Sequence, residues 1–185
     1  METVTTLPRG PMTVGDLDAY RDARLDDGHR CELIDGTLIV TPAPVLRHQL
    51  VVSELMGLLR LACPTDLRVL TAPADVVLAD DTVVQPDVLV ARRADLIGDK
   101  LLARPLLAVE ILSPSTRLFD LDLKRARYER AGVASYWAID PEELWLRAWE
   151  LRESEYVEVA HVAGGDSWTA NSPYAVTVTP GRLAD

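Results

Sequence analysis

The sequence predicts an α/β fold, an α+β mixed sheet flanked by helices, and three observations point to it. Cys31-Glu-Leu-Ile34, Asp35-Gly36 and Thr37-Leu-Ile-Val40 read as a hairpin, because Asp-Gly supplies the positive φ angles of a two-residue turn. Leu106-Leu-Ala-Val-Glu-Ile-Leu112 is apolar on both faces except at one residue, the pattern of a central strand covered on both sides. A helical stretch that stops at Gly132 separates it from a further strand over 133–139.

The remaining elements follow in order. Thr13-Val-Gly-Asp16 has the form of a capping box, with Asp in place of the usual Glu, so a helix is expected from 14 to about 25, with Gly28 ending the region. Pro42 and Pro44 break the chain after the hairpin. From 45 to about 62, Leu50, Val51, Leu55, Leu58 and Leu59 keep helical spacing, and Pro64 ends that helix. Strand-like runs cover 67–70, 74–78 and 82–91, and a short turn or helix covers 94–100. Ser113-Pro-Ser-Thr116 is a turn or helix entry, and a third helix runs to about 131. Beyond Asp140-Pro141, a hairpin of 144–151 with 156–162 and a last strand over 174–178 complete the chain. The expected organisation is one domain over 1–185, with a flexible N-terminus over 1–12 and a β-rich extension over 142–185.

With 185 residues, 48% hydrophobic and 26% charged, the chain has ordinary globular composition and enough length for one core. Nothing at its start has the basic-then-apolar form of a secretory signal, and no apolar run nears the ~20 residues of a membrane helix. The expectation is a cytoplasmic protein without a membrane partner. Cys31 and Cys63, far apart and outside any Cys-x-x-Cys pair, suit neither a disulfide framework nor a zinc site. The net charge of −10 argues against tight, sequence-independent binding of a polyanion, because such binders displace phosphate counterions with a basic surface. Arg125, Arg127 and Arg130 offer the one basic cluster near the residues considered next.

Glu110 stands alone among apolar neighbours in 106–112. A carboxylate buried by itself is costly, and proteins pair it, protonate it or give it a metal. Asp87 repeats the pattern inside Val83-Val-Gln-Pro-Asp-Val-Leu-Val90, where Pro86 cannot donate a ladder hydrogen bond and so interrupts the strand. Were these strands neighbours, they would present two hard oxygen ligands at one point, the kind of set that Mg²⁺ takes. Asp120, Lys124 and Tyr128 fall at i, i+4 and i+8 on one face of the helix that follows. An exposed Asp–Lys pair is the ordinary alternative, but this helix starts a short turn after the Glu110 strand and can fold back over its end.

Pro86-Asp-Val, Val109-Glu-Ile-Leu-Ser-Pro-Ser-Thr116, Asp120-x-x-x-Lys124-x-x-x-Tyr128 and Ala131-Gly-Val-x-x-Tyr-Trp-x-x-Asp-Pro141, preceded by Cys31-Glu-Leu-Ile-Asp-Gly-Thr-Leu and Pro44-x-x-x-His48-Gln, together resemble the Uma family of restriction endonucleases. The resemblance spans roughly 13–141. It implies a restriction-endonuclease-like fold and a variant of the PD-(D/E)xK site. Asp87 and Glu110 would then hold the metal, Mg²⁺ or Mn²⁺, with the backbone carbonyl of Ile111 as a third ligand. The motif's lysine falls at Leu112, so the missing amine is expected from Lys124. Glu32 is either a further ligand or support, or a polar strand residue. His48 is either a substrate contact or a surface helix residue. Gln85 and Tyr128 are expected as support, with plain packing the alternative for Tyr128. Tyr136, Trp137, Trp145 and Trp149 read as core or subunit interface rather than as a platform for bases.

The function implied is a metal-dependent endonuclease that hydrolyses DNA with a metal-activated water, with weak nonspecific affinity and a homodimer as an expected partner arrangement. Two alternatives are a catalytically silent binding or assembly module on the same fold, and a hydrolase of a small phosphate ester.

Overall fold

The computed structural model describes residues 10–23, 29–114 and 117–184. The expected helix end near 25, the stop at Gly28, positions 115–116 of the helix entry and residues 1–9 of the N-terminus lie outside them. Helix α1 is Val14–Ala23. Its capping box closes reciprocally: the Thr13 N–H donates to Asp16 Oδ2 at 2.8 Å, and the Asp16 N–H to Thr13 Oγ1 at 3.3 Å. Ahead of it, Met12 is buried and its N–H donates to the Gly36 carbonyl. Strands β1 (Arg30–Ile34) and β2 (Thr37–Thr41) form the hairpin, with Asp35 at φ 50° and Gly36 at φ 71°. Pro11 packs so closely on Gly36 that a Cβ there would come within 2.6 Å of it.

Helix α2 is Leu46–Ala62 and strand β3 is Leu67–Thr71. The expected strand over 82–91 is two strands in two different sheets. Strand β5 (Thr82–Val84) joins β4 (Val76–Ala79) and the hairpin in a four-stranded sheet of order β2-β1-β5-β4. Strand β6 (Val88–Arg92) pairs with β3 and with β7 (Leu107–Ile111). Gln85-Pro86-Asp87 is the crossing point, and Pro86, with no N–H to give, is where the ladder changes partner.

Past β7 the chain enters a π-helical stretch, Phe119–Lys124, and continues as helix α3, Arg125–Ala131. Gly132, at φ 79°, ends α3 in the left-handed conformation. Strand β8 (Ser135–Asp140) returns parallel to β7, and β9 (Trp145–Arg152) and β10 (Glu155–Ala163) extend the mixed sheet to the order β10-β9-β8-β7-β6-β3. The last strand, β12 (Val176–Val178), pairs with β11 (Trp168–Ala170), a three-residue strand with no sequence signal of its own.

Both faces of the six-stranded sheet are covered. Val88, Val90, Leu107, Val109 and Ile111 pack against Val51, Leu55 and Leu59 of α2. Leu89, Ala91, Ala108, Tyr136 and Ala138 line the other face, where Tyr128 of α3 packs with them. This double cover explains why β7 is apolar in every register except one, and that exception is Glu110. Among the described residues no helix is long and apolar enough to cross a membrane.

Candidate active site

The register of β6 on β7 sets the site. Val88 lies opposite Val109, so Asp87, one residue before β6, comes up beside Glu110. Like charges placed this way repel, and both carboxylates are buried, so cations have to reach them. Two do. Lys124 Nζ sits 2.9 Å from Glu32 Oε2, 3.2 Å from Glu110 Oε1 and 3.3 Å from Asp120 Oδ1. Arg30 places Nη1 2.8 Å from Asp87 Oδ1, while its Nε lies 3.8 Å from Glu32 and its Nη2 3.9 Å from Glu110.

The supporting shell is specific. Asp87 Oδ2 accepts the Ile111 N–H at 2.8 Å and lies 3.1 Å from His48 Nε2. Ile111 therefore touches the acid through its backbone N–H, a different group from the carbonyl expected as a ligand. Tyr128 donates its hydroxyl to Glu110 Oε1 at 2.8 Å. The Gln85 backbone N–H donates to Glu32 Oε1 at 2.7 Å, and the Gln85 side chain to Asp75 Oδ1 at 2.7 Å. Glu32, His48, Gln85 and Tyr128 thus all meet the cluster. His48 is buried rather than a surface helix residue, because α2 runs along the sheet and turns this position inward.

The π-helical stretch aims the lysine. The Arg125 N–H reaches back to the Asp120 carbonyl, five residues earlier, and that carbonyl also accepts the Tyr136 hydroxyl at 2.8 Å. The wider turn leaves Asp120 and Lys124 stacked over Glu110, and single turns of this kind recur at functional sites. Lys124 is 4% exposed, which rules out the solvated Asp–Lys pair.

Electrostatics follow from burial. Burial drives the Glu110 carboxyl well above the usual range; the Lys124 charge opposes this, and Asp120 and Asp87 add to it. Burial alone would also raise Asp87, but the His48 hydrogen bond and the Arg30 charge bring it down to about 2. Burial works against the Lys124 ammonium, yet Glu110, Glu32 and Asp120 hold it protonated far above the ordinary lysine value. Tyr128 is pushed up by burial and by Glu110, so it stays a hydrogen-bond donor.

Arg30 was missed at the sequence level. The signal was there: Arg30 and Glu32 are two apart on one strand and share a face. The basic cluster of Arg125, Arg127 and Arg130 does not serve the site. Arg125 lies over the Trp149 ring at 5.4 Å, Arg127 pairs with Asp35 and Arg130 is exposed, because residues next to Lys124 on the helix point away from it. Tyr136, Trp137 and Trp149 are buried and Trp145 is half-buried.

The donor set fits a divalent cation. Glu32, Asp87, Glu110 and Asp120 supply hard carboxylate oxygens, and Lys124 and Arg30 balance only part of their charge. Among the described residues no three His, Cys, Asp or Glu side chains are arranged to hold an ion as they stand; Lys124 and Arg30 sit among the acids instead. A cavity of about 260 Å³ opens onto the cluster between the 42–45 segment, Ser113-Pro114 and Pro141-Glu142.

The overall fold is restriction-endonuclease-like, and a solved crystal structure shares it. That crystal structure, described as "a putative nuclease" from Anabaena variabilis, superposes with a TM-score of 0.75 at 20% identity, over 94% of this chain and 97% of that one. The chain belongs to the Uma2 family, described as "Putative restriction endonuclease", whose profile matches residues 17–179. Its function is accordingly nuclease-like. No curated protein matches the chain.

Proposed function

We propose that the chain is a divalent-cation-dependent endonuclease that hydrolyses phosphodiester bonds in DNA, with Asp87, Glu110 and Lys124 as its catalytic residues. The observation that carries this reading is Lys124 Nζ at 3.2 Å from Glu110, since the motif's own lysine position is filled by Leu112. Asp87 and Glu110, with Glu32 in reach, would hold Mg²⁺ or Mn²⁺, with the Ile111 carbonyl as a third ligand. Such an ion, when bound, polarises an attacking water and the scissile phosphate.

The chain's own residues do the rest. Lys124 carries positive charge that is permanent at neutral pH and offsets negative charge gathering on the phosphate. Tyr128 fixes the rotamer of Glu110, and the Ile111 amide and His48 fix that of Asp87. Arg30 keeps its Nε and Nη2 without hydrogen-bond partners among the described residues, so it has donors to spare for a phosphate oxygen. A homodimer is the assembly that cutting both strands calls for. Neither Cys31 nor Cys63 is in a disulfide, which suits the reducing cytoplasm.

A catalytically silent module is favoured by one observation: the acids already have cationic partners. Cleavage of labelled DNA decides between the two. The nuclease reading expects cutting that needs Mg²⁺ or Mn²⁺, stops with EDTA and disappears in Glu110→Ala and Lys124→Ala. Activity retained in both variants, or no cutting under any metal by folded protein, overturns it.

A further inference from the structure

A second and larger cavity lies behind the first. It has a volume of about 520 Å³, and the two share Arg30, Pro44, His48 and Asp87 as their common wall. Whatever enters the larger cavity therefore meets Asp87 at its wall, with Glu110 on the other side of that wall. Its size is that of a pocket for a small organic group and exceeds what a few waters need.

The lining is mixed in a particular way. Tyr20, Val52 and Pro73 supply flat or apolar wall, and Gln49, Thr71 and Gln85 supply amide and hydroxyl groups. The shared wall adds an unpartnered polar atom. His48, whose side chain is 8% exposed and whose Nε2 faces the Asp87 carboxylate, has no hydrogen-bond partner at Nδ1 among the described residues, and that nitrogen is left to accept. Apolar faces with polar groups at the edges match a planar heterocycle that stacks on one surface and hydrogen-bonds around its rim. The charge of the whole chain points the same way. At a net −10, contacts to phosphates give little long-range attraction, so burial of a base is the available source of affinity.

We propose that this cavity receives one unpaired nucleobase of the substrate strand, next to the scissile phosphate, with Arg30 and His48 standing between base and reacting group. The proposal rests on the nuclease reading and adds to it a preference for a single-stranded or locally opened substrate.

The test uses the full chain and short single-stranded DNA oligonucleotides, each with one abasic position, compared with the intact strand. Gln49 is exposed on α2 at the cavity's lining, and Gln49→Trp fills the cavity without touching the buried cluster. For the wild type, kcat/KM should fall about tenfold when one particular position beside the cut is abasic. Gln49→Trp should lose a similar factor on the intact strand and nothing further on that abasic strand. Additive losses, or no sensitive position, overturn the proposal. Should no DNA be cut at all, the nuclease reading fails by itself. Fluorescence polarisation of the same strands then decides the pocket: the same non-additive pattern in Kd sustains it, and its absence overturns it.

Discussion

Two groups of charges in this molecule look alike on paper and differ in kind. On the outer hairpin, Arg147 of β9 pairs with Glu158 of β10, with the two side chains 36% and 37% exposed. At the end of β6 and β7, the side chains of Lys124 and Glu110 are 5% and 1% exposed and share their ion pair with two further acids, Glu32 and Asp120, and a guanidinium. The first pair is bathed in solvent and contributes little. The second lies in the core, where desolvation is expensive and an apolar filling would serve stability as well or better. A fold that keeps such a cluster is carrying it for something other than stability.

The largest expected effect comes from removing the cation. Lys124→Ala leaves Glu32, Glu110 and Asp120 without their shared ammonium, and should cost about 3–5 kcal/mol at neutral pH. Chemical denaturation measures this, and Mn²⁺ should recover more of the loss in this variant than it adds to the wild type. Asp87→Asn comes next. The folded carboxyl is held at about 2, so its contribution is present above the unfolded value of about 3.9 and is lost as pH falls through about 2. The variant should be about 2–3 kcal/mol less stable at pH 7, with the gap closing over that acid window. A constant gap at all pH values would remove the ionic explanation.

Glu110→Gln should move stability the other way. An acid whose folded value is raised contributes stability below its unfolded value of about 4.3 and loses it as pH rises through the folded value. Relieved of a buried charge, the variant should gain about 2–4 °C in Tm at pH 7 while losing cleavage. A drop in Tm would mean that the acid is retained for structure. At the bottom of the scale, Glu158→Ala on the hairpin should stay within about 1 kcal/mol of the wild type, with cleavage unchanged.

Local chemistry was legible in the sequence wherever one residue type decides a backbone angle or a cap. Asp35-Gly36, Thr13 with Asp16, and Gly132 each impose their geometry without help from distant residues. The acids were legible too, because a lone carboxylate in an apolar strand has few innocent explanations. Legibility ends where placement depends on long-range pairing. Arg30 meets Asp87 from 57 positions away, and only the arrival of the hairpin beside the crossing at Pro86 makes that pair. The same event splits 82–91 between two sheets, of which Pro86 announces the break but not the change of partner. Helical periodicity put Lys124 on the correct face, yet a 3.6-residue rule cannot reveal the π turn that lowers it onto Glu110. Nor could it tell that Arg125 and Arg127 would be drawn to Trp149 and Asp35.

The most direct measurement is anomalous diffraction from crystals of the wild-type chain soaked in Mn²⁺. One strong peak is expected in contact with the carboxylates of Asp87 and Glu110, with Lys124 detached from at least one of its three acids. Well-ordered crystals with no peak there, and with all three Lys124 contacts intact at saturating Mn²⁺, would contradict it.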